Sequence, residues 1–86
     1  MKFKELDTVV VTEDLPRHGL KKGDVGAVVQ VYSAEAVEVE FVTAAGLTRA
    51  VVTLGSDQLR PVGRNDLLAV RQLDAAWQAA RADADR

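Results

Sequence analysis

Two glutamates on one predicted strand are the first residues whose spacing could support chemistry. Glu38 and Glu40 are two positions apart, and side chains of a strand alternate between its faces, so both carboxylates project from the same face. Paired carboxylates act as acid and base in glycoside hydrolysis. An ordinary exposed strand face shows the same alternation, and no adjacent residue supplies a pocket. We therefore interpret both glutamates as surface residues rather than a catalytic pair.

The other polar candidates do not assemble a recognisable site either. His18 is the only histidine and the chain has no cysteine, whereas zinc sites need about four ligands, most often His or Cys. Neither Ser33 nor Ser56 lies in the Gly-x-Ser-x-Gly turn of a nucleophilic serine. The glycines of residues 19–26 match neither a phosphate-binding loop nor a dinucleotide fingerprint. We predict a protein that is not an enzyme and has no metal or cofactor.

Three basic residues form the only cationic cluster. Arg17, Lys21 and Lys22 lie in one predicted loop, and basic loops of small β-barrels can bind RNA or DNA. The net charge is −2, although phosphate contacts dominate nucleic-acid affinity. Aromatic residues on which bases could stack are also scarce, and Tyr32 is the one candidate that we expect to be exposed in residues 1–62. Weak nucleic-acid binding through these three residues is therefore the alternative function.

The elements that must carry these residues are short strands. The chain has 86 residues, which suits one domain. In the third predicted strand, Val37, Val39 and Phe41 alternate with glutamates, which indicates a half-buried strand. Val9 and Ala50 belong to similar inward-facing sets. A single 3₁₀ turn is predicted before the last strand. The five predicted strands cover residues 6–12, 25–32, 36–42, 47–54 and 59–62. Together they predict an SH3-like five-stranded β-barrel over residues 1–62.

Residues 63–86 have a different pattern, which predicts a C-terminal α-helix. Asn65 can cap its first turn, which also holds Asp66, and helix-forming residues follow. An apolar stripe with helical spacing is the predicted partner-binding surface; its members are Leu67, Val70, Leu73, Trp77 and Ala80. The stripe either packs on its own barrel or pairs with another chain. Fraying beyond Ala80 is a third possibility.

Four stretches of the chain resemble a known bacterial family. They are ELDTVVVTEDLP (residues 5–16), GLKKGDVGAVV (19–29), VEVEF (37–41) and LRPV (59–62). In this order they resemble the family called domain of unknown function 4926, over residues 4–62. The resemblance implies an SH3-like small barrel without a known activity. It also implies a small companion of other short bacterial proteins, as antitoxins often are.

The sequence thus predicts a non-enzymatic protein–protein interaction module. Its expected partner is another protein, for example in an antitoxin or immunity role, or a second copy bound through the C-terminal helix. We expect a cytoplasmic location, because the first residues contain no signal peptide and the chain has no cysteine. No apolar run approaches the roughly 20 residues of a membrane span, so no membrane partner is expected.

Overall fold

A computed structural model describes residues 2–73, which form one antiparallel sheet of five strands. The strands are β1 (Thr8–Val11), β2 (Val25–Val31), β3 (Ala36–Val42), β4 (Thr48–Gly55) and β5 (Leu59–Pro61). Short 3₁₀ helices span Pro16–His18 and Ser56–Gln58. The strand order is β4-β3-β2-β1-β5, so β2, β3 and β4 form a meander and β5 returns to pair with β1. The five predicted strands and the 3₁₀ turn are confirmed, with small shifts of their bounds.

The core lies against one face of this sheet. Alternate residues of each strand contribute to it, including Val9, Val39 and Phe41, all of which are buried. Ala50 is partly buried and packs against the same cluster. The predicted inward-facing residues are therefore confirmed. The full buried cluster is Phe3, Val9, Val11, Leu20, Val28, Val37, Val39, Phe41, Val52, Leu54 and Leu59.

The predicted SH3-like β-barrel is wrong, because the sheet is not closed. β4 and β5 lie at opposite edges of the sheet, and within residues 2–73 each pairs with only one neighbour. Closure would need hydrogen bonds along β5 to a further strand. β5 has only three residues, and Pro61 has no backbone N–H to donate. The number of strands was therefore predicted correctly. The pairing between β4 and β5 that would close a barrel does not occur in residues 2–73.

The predicted C-terminal α-helix is also wrong for the part that the structure describes. A turn follows β5, and residues 66–73 then continue without regular secondary structure. Leu67 and Val70 are exposed, so packing of these side chains against the sheet does not stabilise a helix here. Short helices without such packing are only marginally stable in water. The rest of the predicted helix, with Trp77 and Ala80, lies outside the described residues. Between residues 2 and 73 no helix is long and apolar enough to cross a membrane.

Candidate protein-binding surface

The segment after β5, residues 62–73, is called the C-terminal segment here, and two ion pairs attach it to the sheet. Arg60 of β5 donates two hydrogen bonds to the Asp66 carboxylate, at 2.7 and 2.9 Å. Farther along, Arg71 donates through Nε and Nη2 to Asp24, at 2.8 and 2.7 Å. Its Nη2 also donates to the Gly19 carbonyl, at 3.1 Å. Both guanidinium groups are bidentate, the geometry that gives an arginine–carboxylate pair its orientation.

The two ion pairs lie on opposite sides of β1. Val10 of β1 pairs with Arg60 on one side and with Val25 on the other, and Asp24 precedes Val25. The segment therefore runs from a contact with β5, at Asp66, to a contact with the residues just before β2, at Arg71. Val10, between the two attachment points, is only 5% exposed although it is not part of the core cluster.

Three apolar side chains of the C-terminal segment face solvent between the two ion pairs. Leu67 is 90% exposed, Leu68 68% and Val70 95%. Single exposed apolar residues are ordinary on protein surfaces, but a contiguous group indicates an interaction site. We call these three residues the apolar ridge. The ridge is therefore flanked in sequence by two ion pairs that attach the segment to the sheet.

The structure separates the predicted partner-binding residues. Leu67 and Val70 lie on the apolar ridge, whereas Leu73 is partly buried in a groove beside it. Leu68 belongs to the ridge but was missed, because helical spacing placed it off the predicted stripe. Trp77 and Ala80 lie outside the described residues. The neighbouring apolar residues were therefore visible in the sequence, but Leu68 joins the surface only because the segment is not helical.

A groove of about 610 Å³ lies between the C-terminal segment and one end of the sheet. Its walls include Leu20, Val25, Phe41 and Leu47 from the sheet and its loops, together with Val70 from the segment. The lining is mainly apolar, as in most ligand and peptide sites. Val70 belongs to both features, so the groove and the apolar ridge form one continuous surface.

Arg49 reaches this groove because of a β-bulge. Phe41 pairs with Ala50 and Val42 with Thr48, so Arg49 is an extra residue in β4. Bulges commonly redirect a side chain near the end of a strand. A Cβ atom on Gly19 would overlap the Arg49 guanidinium, and the left-handed φ of 68° at this position also favours glycine. The sequence contains no signal for the bulge, and Arg49 was not predicted as a site residue.

Both carboxylates that attach the segment are held in their ionised form. Burial raises the pKa of Asp24, but hydrogen bonds from Arg71 and from the Lys21 backbone N–H, with their charges, lower it further than burial raises it. The net pKa of Asp24 is therefore below its usual range. Hydrogen bonds from Arg60, and then from the Gly63 backbone N–H, lower the pKa of Asp66 to about 2. Attachment of the segment consequently depends on two deprotonated side chains.

We expect the Asp66 attachment to persist at neutral pH and to be lost only in strong acid. A carboxyl whose folded-state pKa is lowered contributes stability above its ordinary pKa and loses it as the pH falls through the folded value. The amide proton of Gly63 donates to Asp66, so its chemical shift in an NMR titration should report a midpoint near pH 2. In Arg60→Gln the midpoint should rise towards the ordinary value of 3.8. Identical midpoints in the two proteins would contradict this role of Arg60.

The basic residues of the nucleic-acid alternative lie together, but carboxylates accompany them. Arg17 is on the first 3₁₀ helix, and Lys21 and Lys22 are exposed just before β2. The Lys21 backbone N–H donates to Asp24 and that of Lys22 donates to Asp14, both at 2.8 Å. Negative charge is thus built into the loop that carries the lysines, which weakens its attraction for phosphates.

The two glutamates of β3 have separate structural partners. Glu38 accepts a hydrogen bond from the Tyr32 hydroxyl at 2.9 Å, and this bond raises the pKa of Tyr32. Glu40 accepts from the Thr48 hydroxyl at 2.8 Å. These bonds link neighbouring strands across the outer face of the sheet. Over residues 2–73, no three His, Cys, Asp or Glu side chains are grouped so that they could hold a metal ion.

Comparison with known proteins identifies the family of the chain. A family described as a domain of unknown function (DUF4926) matches residues 5–61. The match covers all five strands and ends at the last residue of β5, so the whole C-terminal segment lies beyond it. No curated protein and no solved structure matches the chain. Because the match spans well over half of the sequence, the chain belongs to the DUF4926 family.

Proposed function

We propose that this protein is a non-enzymatic protein-binding module whose contact surface is the apolar ridge. The observation that carries the proposal is the exposure of Leu67, Leu68 and Val70 on a segment restrained by two bidentate ion pairs. Full burial of one such side chain stabilises a complex by about 1.5–3 kcal/mol. The adjoining groove would accept an apolar side chain of the partner. An antitoxin or immunity role is one form of this function, because covering another protein's site needs no chemistry.

Restraint of the ridge supports binding rather than accidental exposure. Ordering a loose segment on binding costs conformational entropy, and a segment already ordered avoids much of that cost. The Arg60–Asp66 and Arg71–Asp24 pairs are the contacts that would supply this order before a partner binds. The carboxylates beside Lys21 and Lys22 favour a protein partner over nucleic acid. We also propose a cytoplasmic location, which the cysteine-free composition supports.

We expect the double variant Leu67→Ser/Val70→Ser to bind its partner at least about tenfold more weakly, since it loses two apolar contacts. Its thermal stability should be unchanged, because both side chains are almost fully exposed. A photo-cross-linking amino acid at position 68 would first identify the partner in cells. Its dissociation constant would then be measured by biolayer interferometry for both proteins.

Leu6→Ser is the matched control, since Leu6 is a similarly exposed leucine outside the ridge. It should bind the partner with the wild-type dissociation constant. Equal affinity of the double variant and wild type would contradict the proposed surface. Cross-links that disappear after nuclease treatment would instead support the nucleic-acid alternative.

A further inference from the structure

The two edges of the sheet are protected very differently. β5 is only three residues long and contains Pro61, and its Arg60 is bound to Asp66 of the C-terminal segment. Short length and proline are features that keep a sheet edge from pairing with another chain. β4 has eight residues, without proline, lysine or an acidic side chain, and its one charge is Arg49. β4 therefore has the edge that is open to pairing.

The backbone groups that face this open edge follow from the pairing of β4 with β3. The Ser56 N–H donates to the Glu35 carbonyl at 2.9 Å, so these two positions form a hydrogen-bonded pair. Such pairs alternate along an antiparallel ladder. The backbone groups of Val52 and Leu54 therefore bond to β3, whereas the N–H and C=O groups of Val51 and Thr53 point away from β3, towards the free edge. Gly55 agrees with this alternation, because its N–H donates to the Gln58 side chain at 2.9 Å instead of to β3.

The stretch of β4 that is free to pair has a limit at each end. Gln58 occupies the N–H of Gly55, and the bulge at Arg49 interrupts the strand near its start. Between these limits, Val51 and Thr53 offer two donors and two acceptors, and no strand among residues 2–73 pairs with them. The Val51 side chain beside them is 51% exposed.

We propose that this edge pairs with β4 of a second copy, giving a two-fold symmetric dimer with a continuous sheet. An antiparallel arrangement centred on Val52 places Val51 of one chain opposite Thr53 of the other, and the reverse. This register satisfies the N–H and C=O groups of both residues in both chains. It places the Arg49 positions opposite Gly55, so no like charges meet across the interface.

A second copy suits this edge better than an unrelated strand. In this register Val51 of each chain pairs with Thr53 of the other. An interface in which the same residues of two copies contact each other in this way is isologous. Between Arg49 and Gly55 the strand carries no charge that would select a charged peptide. The pairing uses no residue of the apolar ridge, and Arg49, at the limit of the paired stretch, is the one β4 residue that also lines the groove, so the dimer does not rest on the proposed function.

The test is the mass of the full chain measured by light scattering over micromolar to millimolar concentrations. Wild type should reach twice the chain mass, whereas Val51→Lys/Thr53→Lys should remain monomeric, because the new lysines face each other across the two-fold axis. Val31→Lys is the matched control on the partly exposed end of β2 and should still dimerise. Leu67→Ser/Val70→Ser should also remain dimeric.

Several results would overturn the proposal. They are a wild type that stays monomeric throughout, a double lysine variant that still dimerises, or a ridge variant that becomes monomeric. If the double variant fails to fold, a mixed sample of isotopically labelled and unlabelled wild type decides the question. Intermolecular nuclear Overhauser effects between Val51 and Thr53 are expected there, and their absence from a dimer would place the interface elsewhere.

Discussion

Replacement of Phe41 by alanine is expected to lower the free energy of unfolding by about 3–5 kcal/mol. Phe41 is buried in the core and pairs with Ala50 on β4. Its ring also approaches Gly26 of β2 closely, so the ring fills the space between adjacent strands. Hydrogen-bonded strands on both sides would keep the resulting cavity from collapsing. Since domains of this kind are stable by only about 5–15 kcal/mol, much of the protein would unfold.

Urea unfolding followed by far-ultraviolet circular dichroism measures this loss. Val42→Ala is the matched control, because Val42 is the next residue of β3 but is exposed on the other face. Its replacement should cost less than about 1 kcal/mol. Equal losses for the two variants would mean that Phe41 does not occupy the core position described above.

Replacement of Gly26 by alanine is expected to destabilise the protein by about 1–3 kcal/mol through overpacking. A Cβ atom at this position would lie 2.7 Å from Val39 Cγ1, 2.8 Å from Phe41 Cε1 and 2.9 Å from the Glu40 carbonyl oxygen. The last of these is backbone and cannot move without disturbing the pairing of β2 with β3. Glycine is therefore required here by the close approach of the two strands, since the backbone of Gly26 has no left-handed φ.

Two other glycines make controls for this effect in the same unfolding assay. Gly63→Ala should change stability little, because its Cβ would approach only the Asp66 carboxyl group, at 3.4 Å. Gly23→Ala meets no atom within 4 Å but has a left-handed φ of 95°, so its cost should be backbone strain of about 1–2 kcal/mol. A Gly26→Ala variant as stable as Gly63→Ala would contradict the close approach. In a Phe41→Ala background the cost of Gly26→Ala should fall, because one of the three overlaps is gone.

Alternation along each strand made most of the sheet predictable. Val37, Val39 and Phe41 face the core while Glu38 and Glu40 face outward, and the bounds of β3 agree with that pattern. This information is local, since the period of two is set by the backbone of a single strand. Closure of the sheet is a property of pairing between distant strands, and no local pattern reports it. For this reason the alternation of residues along single strands could not predict that the sheet is open.

The C-terminal segment also has a conformation that depends on contacts with residues distant in sequence. Its residues favour a helix, but Arg71 binds Asp24 and the Gly19 carbonyl, partners far away in sequence. Tertiary contacts commonly override weak helix propensity. Leu67 and Val70 were predicted as contact residues because their spacing fits one face of a helix. They are exposed instead on a segment without regular secondary structure. Partner binding by these residues stays a prediction, whereas the helical backbone expected for Leu67 and Val70 is wrong.

The return of β5 to β1 has a consequence for how the protein is made. β2, β3 and β4 are joined by short connections and can pair soon after each leaves the ribosome, since nearby segments close small loops. β1, although synthesised first, gains its second neighbour only when Leu59–Pro61 emerges. Until then Val11 lacks Leu59 beside it, and Thr12 lacks the Gln58 carbonyl that its N–H binds. A nascent chain that stalls before Leu59 therefore leaves one edge of β1 unpaired, and the sheet of residues 2–73 is complete only once β5 has been translated.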